Sequence, residues 1–193
     1  DIAATQFKDG SAYHQYQPLT KKGNRDIGTG FNDDPLWLIA GTAAYLRETG
    51  DWSILEEQVP FDNDATKAQP LMEHLRRSFN FTCTHLGPHG LPLIGRADWN
   101  DCLKLDNDWI DGVEKEKRYA AQLAHGGKYG DRFMSEHSES VMNAFLLKIA
   151  YDEIAEMARD AGREETAAEL ENDCAALCEN IRKHCWKGDF YAR

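Results

Sequence analysis

Residues 138–186 read SESVMNAFLLKIAYDEIAEMARDAGREETAAELENDCAALCENIRKHCW. Apolar residues recur three and four positions apart in this stretch, which is the spacing of one face of an α-helix. Gly162 interrupts the pattern and suits the position just after a helix ends. The stretch therefore predicts two helices, at about 138–161 and 164–186, joined into an antiparallel hairpin. The residues predicted to face inward are Val141, Phe145, Leu146, Ile149 and Met157 in the first helix, and Leu170, Cys174, Leu177, Cys178, Ile181 and Cys185 in the second.

Two more helices are predicted upstream, at about 34–49 and 66–86. Asp33 or Asp34 can cap the first of them, Pro35 suits its first position, and Gly50 suits its end. Extended structure is expected only in short pieces, at 91–94 and 189–191. The sequence therefore predicts an all-α fold, with residues 1–193 forming part of a single domain.

Composition narrows the class of partner. The formal net charge of -11 argues against nucleic acids and anionic membrane surfaces, which require clustered Lys and Arg. No apolar run approaches the roughly 18 residues of a membrane span. Five cysteines, an odd number, argue against a secreted disulfide scaffold and favour a reducing cytoplasm. No metal-ligand motif is present, so Cys174, Cys178 and Cys185 are interpreted as reduced core residues beside Leu177 and Ile181.

The segment with the most functional side chains is Gly95-Arg96-Ala97-Asp98-Trp99-Asn100-Asp101-Cys102. It lies in a long aperiodic stretch, 87–134, and such loops are often functional. An indole ring can stack on a sugar, carboxylates and amides can bind hydroxyls, and one carboxyl group can exchange a proton with a glycosidic oxygen. The alternative is a capped turn with Trp99 packed beneath it.

Two other clusters are candidates for a binding site. The first is Asn32-Asp33-Asp34-Pro35, where one aspartate can cap a helix while the other lies at the rim of a site. The second is Tyr13-His14-Gln15-Tyr16-Gln17, which is dense in hydrogen-bonding groups and is alternatively a polar surface loop. The sequence contains no phosphate-binding P-loop and no GxSxG motif, so it gives no support for a nucleotide phosphotransferase or a serine hydrolase.

Three long segments carry a recognisable pattern: YHQYQPLTK at 13–21, GFNDDPLWLIA at 30–40 and GPHGLPLIGRADWNDCL at 87–103. They resemble the cellobiose phosphorylases of glycoside hydrolase family 94, which also holds laminaribiose, cellodextrin, cellobionate and chitobiose phosphorylases. The resemblance is close up to about residue 103 and weakens between 104 and 139, which leaves the acceptor sugar open.

The resemblance implies reversible, inverting phosphorolysis of a β-glucoside such as cellobiose, giving α-glucose 1-phosphate and a shorter sugar. Phosphate would be a co-substrate, with no cofactor and no metal, and the full-length enzyme could be a cytoplasmic homodimer. The fold it implies is an (α/α)6 barrel of antiparallel helical hairpins, here incomplete at both ends, so that the isolated chain would be inactive. Alternatives are an inverting hydrolase on the same barrel and a non-catalytic helical fragment that binds sugar or a partner.

The family's Trp-Asn-Asp motif maps the general acid onto Asp101 and a sugar-binding ring onto Trp99. Further substrate-binding candidates are Asp98, Arg96, Asn100 and Asp33. A single catalytic carboxyl group suffices for this chemistry, because phosphate is already anionic near neutral pH and needs no base to attack the anomeric carbon. The pKa of Asp101 must be raised, most simply by burial beside another carboxylate such as Asp98.

Overall fold

The computed structural model describes residues 1–25, 27–99 and 137–192, and within these ranges four α-helices and two small antiparallel sheets form. The helices are α1 (Asp34–Thr49), α2 (Leu71–Thr84), α3 (Val141–Asp160) and α4 (Glu164–Cys185). The strands are β1 (Tyr16–Gln17) paired with β2 (Lys22–Gly23), and β3 (Gln58–Phe61) paired with β4 (Asp64–Pro70). The prediction of an all-α fold is therefore wrong, because the described chain is a mixture of helices and small sheets.

The predicted hairpin of α3 and α4 is confirmed, and these two helices pack against each other along their length. Ser140 caps α3 by accepting a hydrogen bond from the backbone N–H of Asn143. Gly162 has a φ of 72°, the left-handed conformation that ends a helix at low cost when the residue is glycine.

The inward face of α3 is partly different from the predicted one. Phe145 and Ile149 are 39% and 44% exposed, so their predicted burial is wrong. The small residues Ala144 and Ala150 and the larger Leu147 are buried instead. Small side chains allow a close approach of neighbouring helices, and hydrophobicity alone does not show which of two adjacent apolar stripes meets them.

Helix α1 matches its predicted bounds and buries Leu36, Ile39 and Leu46 in the main apolar core. Gly50 ends it with a φ of 66°, as predicted. Asp33 occupies the residue before the helix, but its side chain makes no capping hydrogen bond. The predicted capping role is therefore not observed for Asp33, and its carboxylate is available for another role.

The predicted start of the second helix is wrong. Residues 66–70 belong to β4, and α2 begins only at Leu71. Asp62 and Asn63 form the turn between β3 and β4 with φ values of 49° and 58°. Two successive left-handed residues are typical of a tight hairpin turn, and Asp and Asn tolerate this conformation better than most residues.

Cys83, Cys174, Cys178 and Cys185 are free thiols. Cys174 and Cys185 are buried as predicted, and Cys185 lies in the same apolar cluster as Leu177 and Ile181, whereas Cys178 is only half-buried. Burial raises the pKa of the Cys174 thiol to about 11, which keeps it protonated at neutral pH. The described part of the chain holds no cluster of three or more side chains suited to a metal ion. None of its helices is long and apolar enough to cross a membrane.

Candidate functional site

The three candidate clusters from the sequence come together in space. Phe31 and Gly95 form an antiparallel bridge, so the segment before α1 lies against the loop that carries Arg96, Asp98 and Trp99. The His14 ring stacks on the Phe31 ring, with centroids 3.8 Å apart. We call the assembly of residues 27–34, 93–99 and 138–143 the polar junction.

The N-terminus of α1 carries a carboxylate–imidazole pair beside the polar junction. Nδ1 of His14 lies 3.2 Å from Oδ2 and 3.3 Å from Oδ1 of Asp34, and both side chains are largely buried. Stacking on Phe31 and pairing with Asp34 hold the imidazole from two directions. The 13–17 segment is thus attached to the start of α1, which favours its interpretation as part of a site.

Arg96 fastens the 95–99 loop to the chain before α1. Its backbone N–H donates to the carbonyl of Gly30 at 2.8 Å, and its Nη1 donates to the carbonyls of Ile27 and Thr29, the latter at 3.2 Å. The guanidinium also lies 5.0 Å from the centre of the Phe31 ring. Burial lowers the pKa of Arg96, and the nearby Asp34 opposes this shift. These contacts make Arg96 a clamp between two loops.

Asp98 and Trp99 are adjacent in sequence and opposite in environment. Asp98 is 1% exposed, and its Oδ2 accepts a hydrogen bond of 3.0 Å from the hydroxyl of Ser140. Trp99 is 65% exposed. The alternative in which Trp99 packs beneath a turn is therefore wrong. An exposed indole beside a fixed loop is suited to stacking on a sugar ring.

Asp33 is a buried carboxylic acid with an unusual titration. It is 2% exposed, and burial followed by the charge of Asp34 raises its pKa to about 7. Oδ2 accepts a hydrogen bond from Nε1 of Trp37 at 3.4 Å, whereas Oδ1 has no partner among the described residues. Near neutral pH this group is therefore close to half protonated, so it can donate or accept a proton.

Two buried amides converge on one carbonyl in the polar junction. Nδ2 of Asn32 donates to the Leu93 carbonyl at 2.9 Å and to that of His85 at 3.2 Å, and Nδ2 of Asn143 donates to the Leu93 carbonyl at 3.4 Å. Within the described ranges, the Oδ1 atoms of both amides and Oγ1 of Thr29 are buried without a hydrogen-bond partner. Buried polar atoms of this kind are uncommon and often mark functional regions.

A cavity of about 760 Å³ lies elsewhere on α1. It runs along the face of Trp37, Gly41 and Tyr45, and its wall includes His14 and Asp34 but none of Asp33, Asp98 and Trp99. It therefore touches only one edge of the predicted site.

The structure gathers most of the predicted site residues and adds others. Arg96, Asp98, Trp99 and Asp33 belong to the polar junction, whereas Asn100 and Asp101 lie outside the described residues. The sequence interpretation missed the contributions of Phe31, Thr29, Ser140 and Asn143. A signal existed for Ser140, since serine directly before an apolar helical run is a typical N-cap.

Comparison with known proteins shows the family to which the chain belongs. Residues 1–193, the whole chain, match the Glycosyl hydrolase 94 superfamily, catalytic domain, and the chain belongs to this family. The chain is 30% identical over 187 residues to the solabiose phosphorylase of Paenibacillus borealis, in an alignment covering 96% of this chain and 20% of that protein. It is 27% identical over 164 residues to the N,N'-diacetylchitobiose phosphorylase of Vibrio proteolyticus, covering 84% of this chain and 16% of that protein.

The chain is also similar to a protein whose name describes a synthase. The chain is 27% identical over 209 aligned residues to the cyclic beta-(1,2)-glucan synthase NdvB of Rhizobium meliloti, covering 100% of this chain and 6% of that protein. The chain thus spans about a fifth or less of the length of these relatives.

Proposed function

We propose that this chain contributes the general acid and a sugar-stacking ring to an enzyme that cleaves a β-glucoside with inorganic phosphate. The observation that carries the proposal is the arrangement of the 95–99 loop. Arg96 and Asp98 hold this loop on two sides, and Trp99 projects from it into solvent. The family membership and the phosphorylases among the relatives support the same reaction.

In the proposed reaction, the Trp99 ring stacks on a sugar and Asp101, two residues further along, protonates the departing sugar oxygen. Phosphate attacks the anomeric carbon from the opposite face, so that the configuration inverts and a sugar 1-phosphate is released. In the synthetic direction Asp101 accepts the proton of the acceptor hydroxyl. We propose Asp33, Arg96 and Asn100 as groups that bind or orient the sugar, with cellobiose as the first substrate to try.

The test is a product assay with the full-length protein. Cellobiose, solabiose and N,N'-diacetylchitobiose are each incubated with and without inorganic phosphate, and sugar 1-phosphate and free sugar are separated and quantified. The proposal predicts that cleavage requires phosphate and releases one sugar 1-phosphate per bond broken. Phosphate-independent release of two free sugars would show a hydrolase instead, and no cleavage of any β-linked sugar would contradict an enzyme of this kind.

A further inference from the structure

The hydroxyl of Ser140 links a helix to the predicted catalytic loop. It accepts a hydrogen bond of 3.0 Å from the backbone N–H of Asn143, and it donates one of 3.0 Å to Oδ2 of Asp98. A hydroxyl has one donor and two acceptor positions, so both bonds form at the same time. Ser140 is 3% exposed, which protects both bonds from competition by water.

Ser140 is itself held in place by a short antiparallel pairing. Its backbone N–H donates to the Pro92 carbonyl at 2.9 Å, and the N–H of Ile94 donates to the Ser138 carbonyl at 2.8 Å. Leu93 and Glu139 form the bridge between these bonds. The position of the Ser140 hydroxyl is therefore fixed by backbone contacts on the same loop that leads to Asp98.

The carboxylate of Glu139 strengthens this support. Its Oε1 accepts hydrogen bonds from the backbone N–H groups of His89 at 2.9 Å and Leu91 at 3.2 Å, and its Oε2 lies 2.6 Å from Nδ1 of His89. The turn at 87–91 is thus attached to the residue next to Ser140. Hydrogen bonds therefore attach both ends of the 87–99 loop to the start of α3.

The direction of the chain after Asp98 depends on how Asp98 is held. Asp98 is almost completely buried and its successor Trp99 is 65% exposed, so the loop leaves the protein interior within one residue. A change in the orientation of the Asp98 side chain would therefore move Trp99. A displacement of about 1 Å can reduce turnover roughly 10²-fold.

We propose that Ser140 is a positioning residue, which acts through Asp98 to orient the Trp99 ring relative to the sugar. This inference rests on the proposed function. Ser140 contacts no substrate in this account, and it acts on the exposed Trp99 only by fixing the buried carboxylate of Asp98.

The experiment uses the full-length enzyme with Ser140→Ala, Ser140→Thr and the control Ser53→Ala. Ser53 also donates to an aspartate, Asp51, but does so at the surface in the 3-10 helix Trp52–Glu56. We expect Ser140→Ala to lower kcat for phosphorolysis about 10- to 100-fold, with little change in the KM for phosphate. Ser140→Thr should restore most of kcat because it retains the hydroxyl, and Ser53→Ala should match wild type.

A second measurement separates this inference from the proposed function. Hydrogen exchange of the peptide containing residues 95–99 should become about 10-fold faster in Ser140→Ala and return toward wild type in Ser140→Thr. Wild-type kcat together with unchanged exchange in Ser140→Ala would overturn the positioning role. A wild-type enzyme that releases no sugar 1-phosphate would refute the proposed function. If, in addition, Ser140→Ala exchanged residues 95–99 at the wild-type rate, the link between Ser140 and the loop would be refuted as well.

Discussion

The α3–α4 hairpin and the polar junction are stabilised by different interactions. In the hairpin, Leu147 and Ile181 lie in a continuous apolar cluster whose contacts need no particular direction. In the polar junction, hydrogen bonds join residues far apart in sequence, such as Asn32 to the Leu93 carbonyl and Ser140 to Asp98. An apolar contact can be replaced by another of similar volume, whereas each of these bonds requires a specific donor and acceptor.

The two regions should therefore have different roles: the hairpin stabilises the fold, and the polar junction positions loops and side chains. The hairpin contributes buried apolar surface, and substitutions there should change stability more than catalysis. The polar junction fixes the positions of its loops, because buried polar atoms cost free energy unless they are paired by specific hydrogen bonds. Substitutions in the junction should therefore have effects that depend on pH, on which hydrogen-bond donor is removed or on which reaction step is measured.

The largest predicted effect on stability concerns Asp33. Its pKa is raised from 3.8 to about 7 in the folded protein, so between these pH values the folded state retains a proton that the unfolded state has lost. The contribution of Asp33 to stability therefore falls as pH rises from about 4 to about 7 and levels off above that range. Asp33→Asn cannot ionise, so its free energy of unfolding should rise relative to wild type by up to about 4 kcal/mol across this window.

Chemical denaturation of both full-length proteins at a series of pH values measures this difference. Asp160→Asn is the matched control, since Asp160 is an exposed carboxylate at the end of α3. It shows the effect of removing one exposed carboxylate without altering the polar junction. A pH-independent difference between Asp33→Asn and wild type would contradict the raised pKa of Asp33.

The hairpin should respond to Leu147→Ala, which removes a side chain that is 1% exposed in the apolar core. Truncation of a buried leucine leaves a cavity, and we expect a loss of about 3 kcal/mol in the free energy of unfolding. Ile149→Ala on the same helix removes a side chain that is 44% exposed and should cost much less. Equal losses for the two variants in denaturation experiments would contradict the observed orientation of α3.

Asn32→Ala tests the smaller contribution of a single junction side chain. It leaves the carbonyls of Leu93 and His85 each without one donor, and we expect a loss of about 2 kcal/mol. Asn80→Ala, at an exposed position of α2, serves as the control and should be nearly neutral. If thermal denaturation shows no difference between these variants, the two hydrogen bonds of Asn32 contribute little to the junction.

The helices were largely predictable from the sequence because their signals are local. Apolar spacing, Pro35 and the glycines at 50 and 162 placed α1 and the hairpin within a few residues of their observed bounds. The β3–β4 hairpin was missed because β4 carries mostly exposed polar residues and does not alternate between polar and apolar side chains. Its signal was the turn at Asp62 and Asn63.

The candidate site was only partly predictable. Residue chemistry and family resemblance selected 13–17, 32–35 and 95–102 as separate clusters, but nothing in their spacing showed that Phe31 would bring them together. The bonds of Arg96 to backbone carbonyls are also invisible in sequence, because a carbonyl is present at every residue. Ser140 was missed since the apolar pattern placed the start of the third helix at Ser138.

The most direct test of the account is turnover of the full-length enzyme carrying Asp101→Asn, with cellobiose or the preferred β-glucoside and phosphate. The amide retains the size of the side chain but cannot donate a carboxylic acid proton. We predict that kcat falls about 10²–10⁴-fold in both phosphorolysis and synthesis while sugar affinity changes little. Asp98→Asn should be milder, and Asp160→Asn should match wild type. Turnover of Asp101→Asn equal to that of Asp160→Asn would contradict the assignment of Asp101 as the general acid.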